Sequence, residues 1–495
     1  MLAACAQERA AVLIYLKLLE GQNHMDQKKL SRRDFLRRSA LAVGGVTLAA
    51  CGTPAAQTPQ AEQPAADSQA AGPTPTSAPV ASQAGAISYW VFWNQYAETI
   101  DLWKPAMLEK IKPNTINIST GVNADEVFLP AVAAGTPPDI GTGHHYIDYM
   151  SKDQALPVDE FIATSANIKP ENFQEAAWKS TFYQGKQYGI PAIEGFVRRG
   201  LNYNVKLVEE AGLDPDKPPV TWTDALHWHK QLTKFDNAGN LIQIGLDPYD
   251  AEGGVFASGD GSAVCDSWGF DWYDPSTRTF NLNNEKMAAA FDTYAEFVKI
   301  IGVDNLSGLR SVEGQGTWGG SFNAGVQAMI IEGYWHAGET ALENPEVSKL
   351  NRATWMPVPE DRVGKKVQFG GGHMVFMFKG GKNPPQEVFK VAEFLNTPEH
   401  CDPVFKTIGW LPAYQPYLDK VNPNQFPGLK FYMDSVTEAN EWHYAIWNEI
   451  MSFVERKYLE TAEQVYRGQM TGAQGAEEMQ RAAEQEWKEA GYDKA

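Results

Sequence analysis

Two rhythms of apolar and polar positions alternate along most of the chain. Ile87-Ser88-Tyr89-Trp90-Val91-Phe92-Trp93 is a near-continuous apolar and aromatic run, the pattern of a strand covered on both faces, and Asn94 and Gln95 close it. Val326 to Ile331 and His373 to Phe378 read as further buried strands. Between such runs the period lengthens. Met287, Phe291, Tyr294, Val298 and Ile301 recur at helical spacing, with Gly302 behind them as a C-cap. Asn383-Pro384-Pro385-Gln386 opens another helix whose Val388, Val391, Ala392 and Leu395 share one face, and Pro398 lies just beyond its end. Thr471 to Ala490 reads as an amphipathic helix with Met479, Ala483 and Trp487 inward. Strands alternating with helices predict an α/β protein with mostly parallel sheets.

Neither rhythm is present before Ile87. Gly52 to about Gly85 is dense in Pro, Ala, Gln, Ser and Thr, a composition that buries too little surface to offset chain entropy and serves as a flexible tether. Ahead of it, Ser39 to Ala50 is mildly apolar but far short of the roughly 20 residues that span a bilayer. A basic flank, an apolar middle and small residues at the end have the form of a secretory signal. Ser31-Arg32-Arg33-Asp34-Phe35-Leu36 resembles the twin-arginine export signal, with Arg32 and Arg33 as its pair. Leu48-Ala49-Ala50-Cys51 resembles a lipobox, in which Cys51 would be lipidated and become the mature N-terminus. Residues 1–50 are therefore expected to be a leader and 51–86 a linker, with the mature protein anchored by lipid and facing the periplasm or exterior. Residues 1–24 do not fit in front of such a signal, and Met25 is the expected translation start.

Composition narrows the function. From Ile87 onward about 400 residues remain, too many for one core and suited to two. The first 50 residues hold 8 Lys+Arg and 4 Asp+Glu, so the rest carries 34 against 57, a net of −23. Such a balance repels nucleic acid and anionic lipid. Cys265 and Cys401 are the remaining mature cysteines, far apart and without metal-type spacing. The 15 Trp, 19 Tyr and 23 Phe exceed what a core requires, and flat rings outside a core stack on the apolar faces of sugars.

Five segments, in order, resemble the extracellular solute-binding proteins of sugar-type ABC importers, the maltose-binding-protein-like group. They are the strand ending in Trp93-Asn94; Leu129 to Ile140, close to that family's A-x-G-x-x-P-D element; and Gly185 to Pro191 continuing through Leu201-Asn202-Tyr203-Asn204 to Thr221-Trp222. Phe322 to Met329 with Glu332-Gly333-Tyr334-Trp335 is the fourth, and Gly370-Gly371-Gly372-His373 the fifth. The resemblance implies two α/β lobes joined by a hinge around a cleft. Crossings are expected near Glu194–Gly200, Met356–Glu360 and Thr407–Pro412, giving lobe one as 87–197 plus 360–407 and lobe two as 198–359 plus 408–495. It also implies a small-molecule ligand, an ABC permease as partner, a monomer, and neither cofactor nor catalytic residue. Ligands of open α/β sheets gather at the C-terminal strand ends.

Trp93 and Asn94, at the first strand's end, are candidate ligand residues. Gly141 to His145 forms a glycine-rich loop in which His144 and His145 suit hydroxyl hydrogen bonding; adjacent histidines without a carboxylate cluster do not suit a metal. Glu194, just after Gly-Ile-Pro, could accept two sugar hydroxyls. Trp335 aligns with the family's G-x-W, whose Trp stacks on sugar. Gly371, Gly372 and His373 would let backbone approach a ligand closely, and Trp410 in G-W-L-P completes the set. Gly253 to Trp272, including Asp260, Trp268, Phe270 and Trp272, matches no motif and is expected to hold cleft residues that choose the ligand. Three rivals remain at this level: a non-sugar solute such as a glycerophosphodiester or polyamine, with Arg198-Arg199 as the nearby cationic pair; a surface glycoside hydrolase pairing Glu194 with an Asp such as Asp260; and a sensor or adhesion lipoprotein without a transport partner.

Overall fold

The computed structural model describes residues 85–144, 146–248, 262–305, 320–371 and 373–494. The leader with Arg32, Arg33 and Cys51, the tether, His145, Asp260 and Gly372 lie outside the described residues.

Strands are β1 (Ala86–Val91), β2 (Thr115–Ser119), β3 (Ile140–Thr142), β4 (Gly189–Pro191), β5 (Leu201–Asn204), β6 (Lys234–Phe235), β7 (Leu241–Leu246), β8 (Gln327–Ile331), β9 (Asn351–Thr354), β10 (Val367–Phe369), β11 (Met374–Met377) and β12 (Glu441–His443). They form two five-stranded sheets, ordered β2-β1-β3-β11-β4 and β9-β5-β8-β7-β6, and a two-stranded ribbon of β10 and β12; Phe182–Tyr183 with Lys186–Gln187 and Tyr273–Asp274 with Thr279–Phe280 make two further short pairs. The buried runs predicted at 326–331 and 373–378 are β8 and β11. The first strand stops at Val91, with Ile87, Tyr89 and Val91 fully buried and Trp90 half-buried against Phe128.

The sheets are mixed, which corrects the expectation of mostly parallel ones. In the first, β1 runs parallel to β2 and β3, but β11 runs antiparallel to β3 and β4. In the second, β5 runs antiparallel to β8 and β9. The chain leaves the first sheet after Pro191, enters the second at Leu201, and returns between Thr354 and Met374. A strand entered from a crossing must point away from it, whereas one leading into a crossing points toward it. β5 and β11 therefore oppose their neighbours.

The first two crossings are bonded to each other. Arg198 N donates to Phe369 O at 3.1 Å and Gly371 N to Phe196 O at 3.4 Å. Gln368, fully buried, has its Oε1 accept from Arg198 N (3.2 Å) and Arg199 N (2.8 Å), while its Nε2 donates to Arg199 O (3.0 Å) and Ser435 Oγ (2.9 Å).

Helices cover the sheets: α1 (Ile100–Ile111), α2 (Glu175–Lys179), α3 (Trp222–Leu232), α4 (Ala263–Trp268), α5 (Glu285–Ile301), α6 (Trp335–Glu343), α7 (Pro385–Leu395), α8 (Pro398–Ile408), α9 (Leu429–Glu438), α10 (Met451–Tyr466) and α11 (Gly472–Glu489). Caps account for the ends of several. Asn284 accepts from Lys286 N and Met287 N to start α5, and Gly302 stops it at φ +82°. Thr471 and Gln474 form a capping box on α11. Pro398 lies just beyond α7, as expected, and there occupies the first turn of α8, where a missing N–H costs nothing. The predicted inward residues of α5, α7 and α11 are buried.

Cys265 and Cys401 are both buried free thiols. Among the described residues no helix is long and apolar enough to cross a membrane.

Candidate functional site

β1, β3, β4 and β8 end, and β11 begins, beside one cluster of side chains. Trp93 is at its centre, its ring 4.4 Å from His373, 5.6 Å from Trp410 and 5.9 Å from His144. His144 and His373 meet edge to face at 5.1 Å. Nε2 of His373 lies 3.1 Å from Glu194 Oε2, and its Nδ1 lies 3.0 Å from Tyr146 Oη and 3.2 Å from Gly143 O.

Glu194 follows β4 at φ +60°, a left-handed conformation that non-glycine residues adopt only when their surroundings impose it. Its Oε2 accepts from Arg198 Nη2 at 2.5 Å. Arg198 Nε donates to Gly371 O at 2.7 Å, and the guanidinium lies 4.8 Å from the centre of the Trp335 ring, a cation–π contact. Trp335 comes from the second sheet, four residues past β8, whereas Glu194 and His373 flank strands of the first. Residues from both sheets thus meet at Arg198.

Trp410 arrives by a close approach of backbones. Gly409, at φ +76°, caps α8, and a Cβ there would stand 2.4 Å from Gly338 Cα, so only glycine permits this contact. The next residue, Trp410, then donates from Nε1 to Glu339 Oε1 at 2.8 Å. Burial, reinforced by Glu332, pushes the Glu339 carboxyl well above the usual carboxylate range, and the Trp410 bond only partly offsets it. Tyr334 Oη accepts from Leu411 N and donates to Leu411 O, fixing the same junction.

Of the candidate residues, Trp93, His144, Glu194, Trp335, Gly371, His373 and Trp410 are brought together. Asn94 is exposed and lies against Gly121, away from the cluster. The space a side chain would need at Gly371 is filled by Ser180 and Ala177. Trp268, Phe270 and Trp272 are packed in the core, Trp268 stacking on Trp222 at 5.2 Å beneath α5, while residues 253–261 of that stretch lie outside the described residues. Arg198 was legible only as a cation near the hinge. The available signal was two arginines amid an apolar run, which can be buried only if paired. No group of three His, Cys, Asp or Glu placed to hold a metal occurs among the described residues.

Two lobes joined by paired crossings, with a cluster at the strand ends between them, define a binding-protein fold. The sequence profile of the family described as bacterial extracellular solute-binding protein matches residues 91–400, and the chain belongs to that family. No curated protein sequence matches it. Solved structures share the fold. CpMnBP1 with mannotriose bound has a TM-score of 0.68 at 22% identity, covering 81% of this chain and 100% of that one. An ABC substrate-binding protein from Listeria monocytogenes in complex with cycloalternan gives 0.64 at 16%, covering 81% and 98%. The maltose/maltodextrin-binding domain from Bdellovibrio bacteriovorus bound to maltotriose gives 0.61 at 17%, covering 81% and 100%.

Proposed function

We propose that this protein is the substrate-binding lipoprotein of an ABC importer, capturing a neutral sugar or oligosaccharide between its lobes for delivery to a membrane permease. The observation that carries the reading is the Trp93–Glu194–Arg198–Trp335–His373–Trp410 cluster. It combines aromatic rings with hydrogen-bonding groups, and its charges are paired: Glu194 with Arg198 and His373. A phosphodiester would call for an uncommitted cation and a polyamine for an uncommitted carboxylate. A sugar asks for neither, only ring surface and polar edges. The oligosaccharides bound in the structural neighbours support the same class.

Ligand bridging the lobes would shift the population toward a closed form that the permease recognises, without chemical turnover. Export by the twin-arginine route, lipidation at Cys51 and a tether over 52–86 would hold the domain beside that permease. Thermal shift of the purified protein against sugars, glycerophosphodiesters and polyamines tests the ligand class, because binding to the native state alone raises Tm. A rise with sugars alone is expected; a rise with a phosphodiester and none with any sugar would overturn it.

A further inference from the structure

Away from that cluster, a groove of about 370 Å³ is lined by Gln174, Lys179, Gln415, Val436, Trp442 and Tyr444. Its volume falls within the roughly 300–1,000 Å³ of small-molecule sites. A second hollow of about 300 Å³ shares Gln174, Gln415 and Val436 with it, so the two run on as one elongated groove. None of the residues of the Trp93–His373 cluster lines either part.

Gln174 stands at the junction of the two hollows. It is 9% exposed, and neither its Nε2 nor its Oε1 has a hydrogen-bond partner among the described residues. A carboxamide that has left water and gained no partner is costly to keep, and such groups in native proteins call for an explanation. The backbone around it is fully used: Gln174 N donates to Ala413 O at 3.3 Å, and Gln174 O accepts from Trp178 N at 2.9 Å. Only the side chain is left to serve an occupant.

The walls say what kind. Lys179 bonds Glu175 at 2.7 Å, one turn back on α2, so the charges at the rim are mutually satisfied. Trp442 and Tyr444 add aromatic surface, with the Lys179 ammonium 5.7 Å from the Tyr444 ring centre. A carboxamide at the base and aromatic walls match the hydroxyls and apolar faces of a neutral sugar; of the two acids along the second hollow, Asp434 is paired with Lys430 and Asp419 accepts from Gln415 Nε2.

We propose that this groove is a second saccharide site, independent of the interlobe cluster, which takes a short neutral oligosaccharide, the unpartnered Gln174 carboxamide turning toward it to bond its hydroxyls. Its wall reaches the return crossing, since Ala176 and Trp442 both pack against Gly370 and His443 O accepts from Gly370 N at 3.0 Å.

Saturation-transfer NMR and calorimetry on the full chain, with maltotriose and with mannotriose, test this. Trp335→Leu weakens the interlobe site, so that the groove's own binding can be read through the added substitutions. From that variant at least one trisaccharide should still receive saturation. Adding Gln174→Leu, or separately the exposed Tyr444→Ala, should weaken that binding at least tenfold. No transfer from the Trp335→Leu chain to either sugar, or transfer indifferent to both added substitutions, would overturn the proposal. The two readings fail separately. Binding lost only with Gln174→Leu sinks the interlobe function and keeps the groove; binding lost only with Trp335→Leu does the reverse.

Discussion

Arg198 and Arg199 are neighbours in the chain, both almost wholly buried, and each completes a triad of arginine, carboxylate and histidine. In the first, Glu194 lies between Arg198 and His373, at 2.5 and 3.1 Å. In the second, Asp266 lies between Arg199 and His443, at 2.6 and 3.3 Å. Each guanidinium also lies 4.8 Å from an aromatic ring centre, Trp335 and Phe369 respectively. Their surroundings separate them. The first triad ends among the rings of Trp93, His144, Trp335 and Trp410 at the strand ends. The second runs on through His443 to Glu441, which Arg362 and Lys365 hold at 2.5 and 3.5 Å, and so becomes a chain of alternating charges along the crossings. The same chemistry thus ends in an aromatic cluster in one place and in an ionic chain in the other. What differs is whether the next shell is aromatic or ionic.

If that distinction is right, Arg199→Ala is the most damaging change. It leaves Asp266 buried with only a histidine, and breaking such a pair costs about 3–5 kcal/mol. Urea unfolding should show that loss, while sugar affinity of the folded protein stays within about twofold of wild type by the tenfold-per-1.4 kcal/mol relation. A large affinity loss here would erase the contrast between the triads. Gln368→Ala removes the side-chain acceptor of Arg199 N and the donor to Arg199 O, while Arg198 N keeps Phe369 O, for about 2 kcal/mol of stability, read by the same midpoint shift. Trp335→Leu should act the other way round, lowering sugar affinity by about 2 kcal/mol, or roughly thirtyfold, in calorimetry.

The smallest effect is on pH dependence. Burial depresses the His443 imidazole, but Asp266 and Glu441 outweigh it and raise its pKa above 6.5. A group raised in the fold contributes stability that is complete below its ordinary pKa and lost as pH climbs through the raised value. Unfolding free energy should therefore fall as pH rises above 6.5, and His443→Gln should remove that part of the slope. Glu441 contributes with the opposite sign. The His443 bond, with Arg362, holds it down to about 2, so its share is present above 4.5 and lost as pH falls toward 2. A wild-type slope unchanged in His443→Gln would mean that the second triad does not fasten the crossings.

Periodicity and caps already specified α5, α7, α11, β8 and β11, because an apolar stripe and a capping residue act within a few residues of chain. Ordered family segments likewise pointed to the two-lobed fold, and to Trp93, Glu194, Trp335, His373 and Trp410 as residues that would meet. Strand direction was not available at that level. It depends on which way a crossing chain enters its sheet, and β11 is settled by a return from the far lobe. Nor could two adjacent arginines be told apart, since Arg198 finds Gly371 173 residues away and Arg199 finds Asp266 67 residues away. Trp268, Phe270 and Trp272 show the same limit from the other side: an aromatic run reads alike for core and cleft until Trp222 is seen lying against it. Local physics chose the elements. Contacts between residues remote in the chain decided which of their side chains gather at the strand ends and which pair along the crossings.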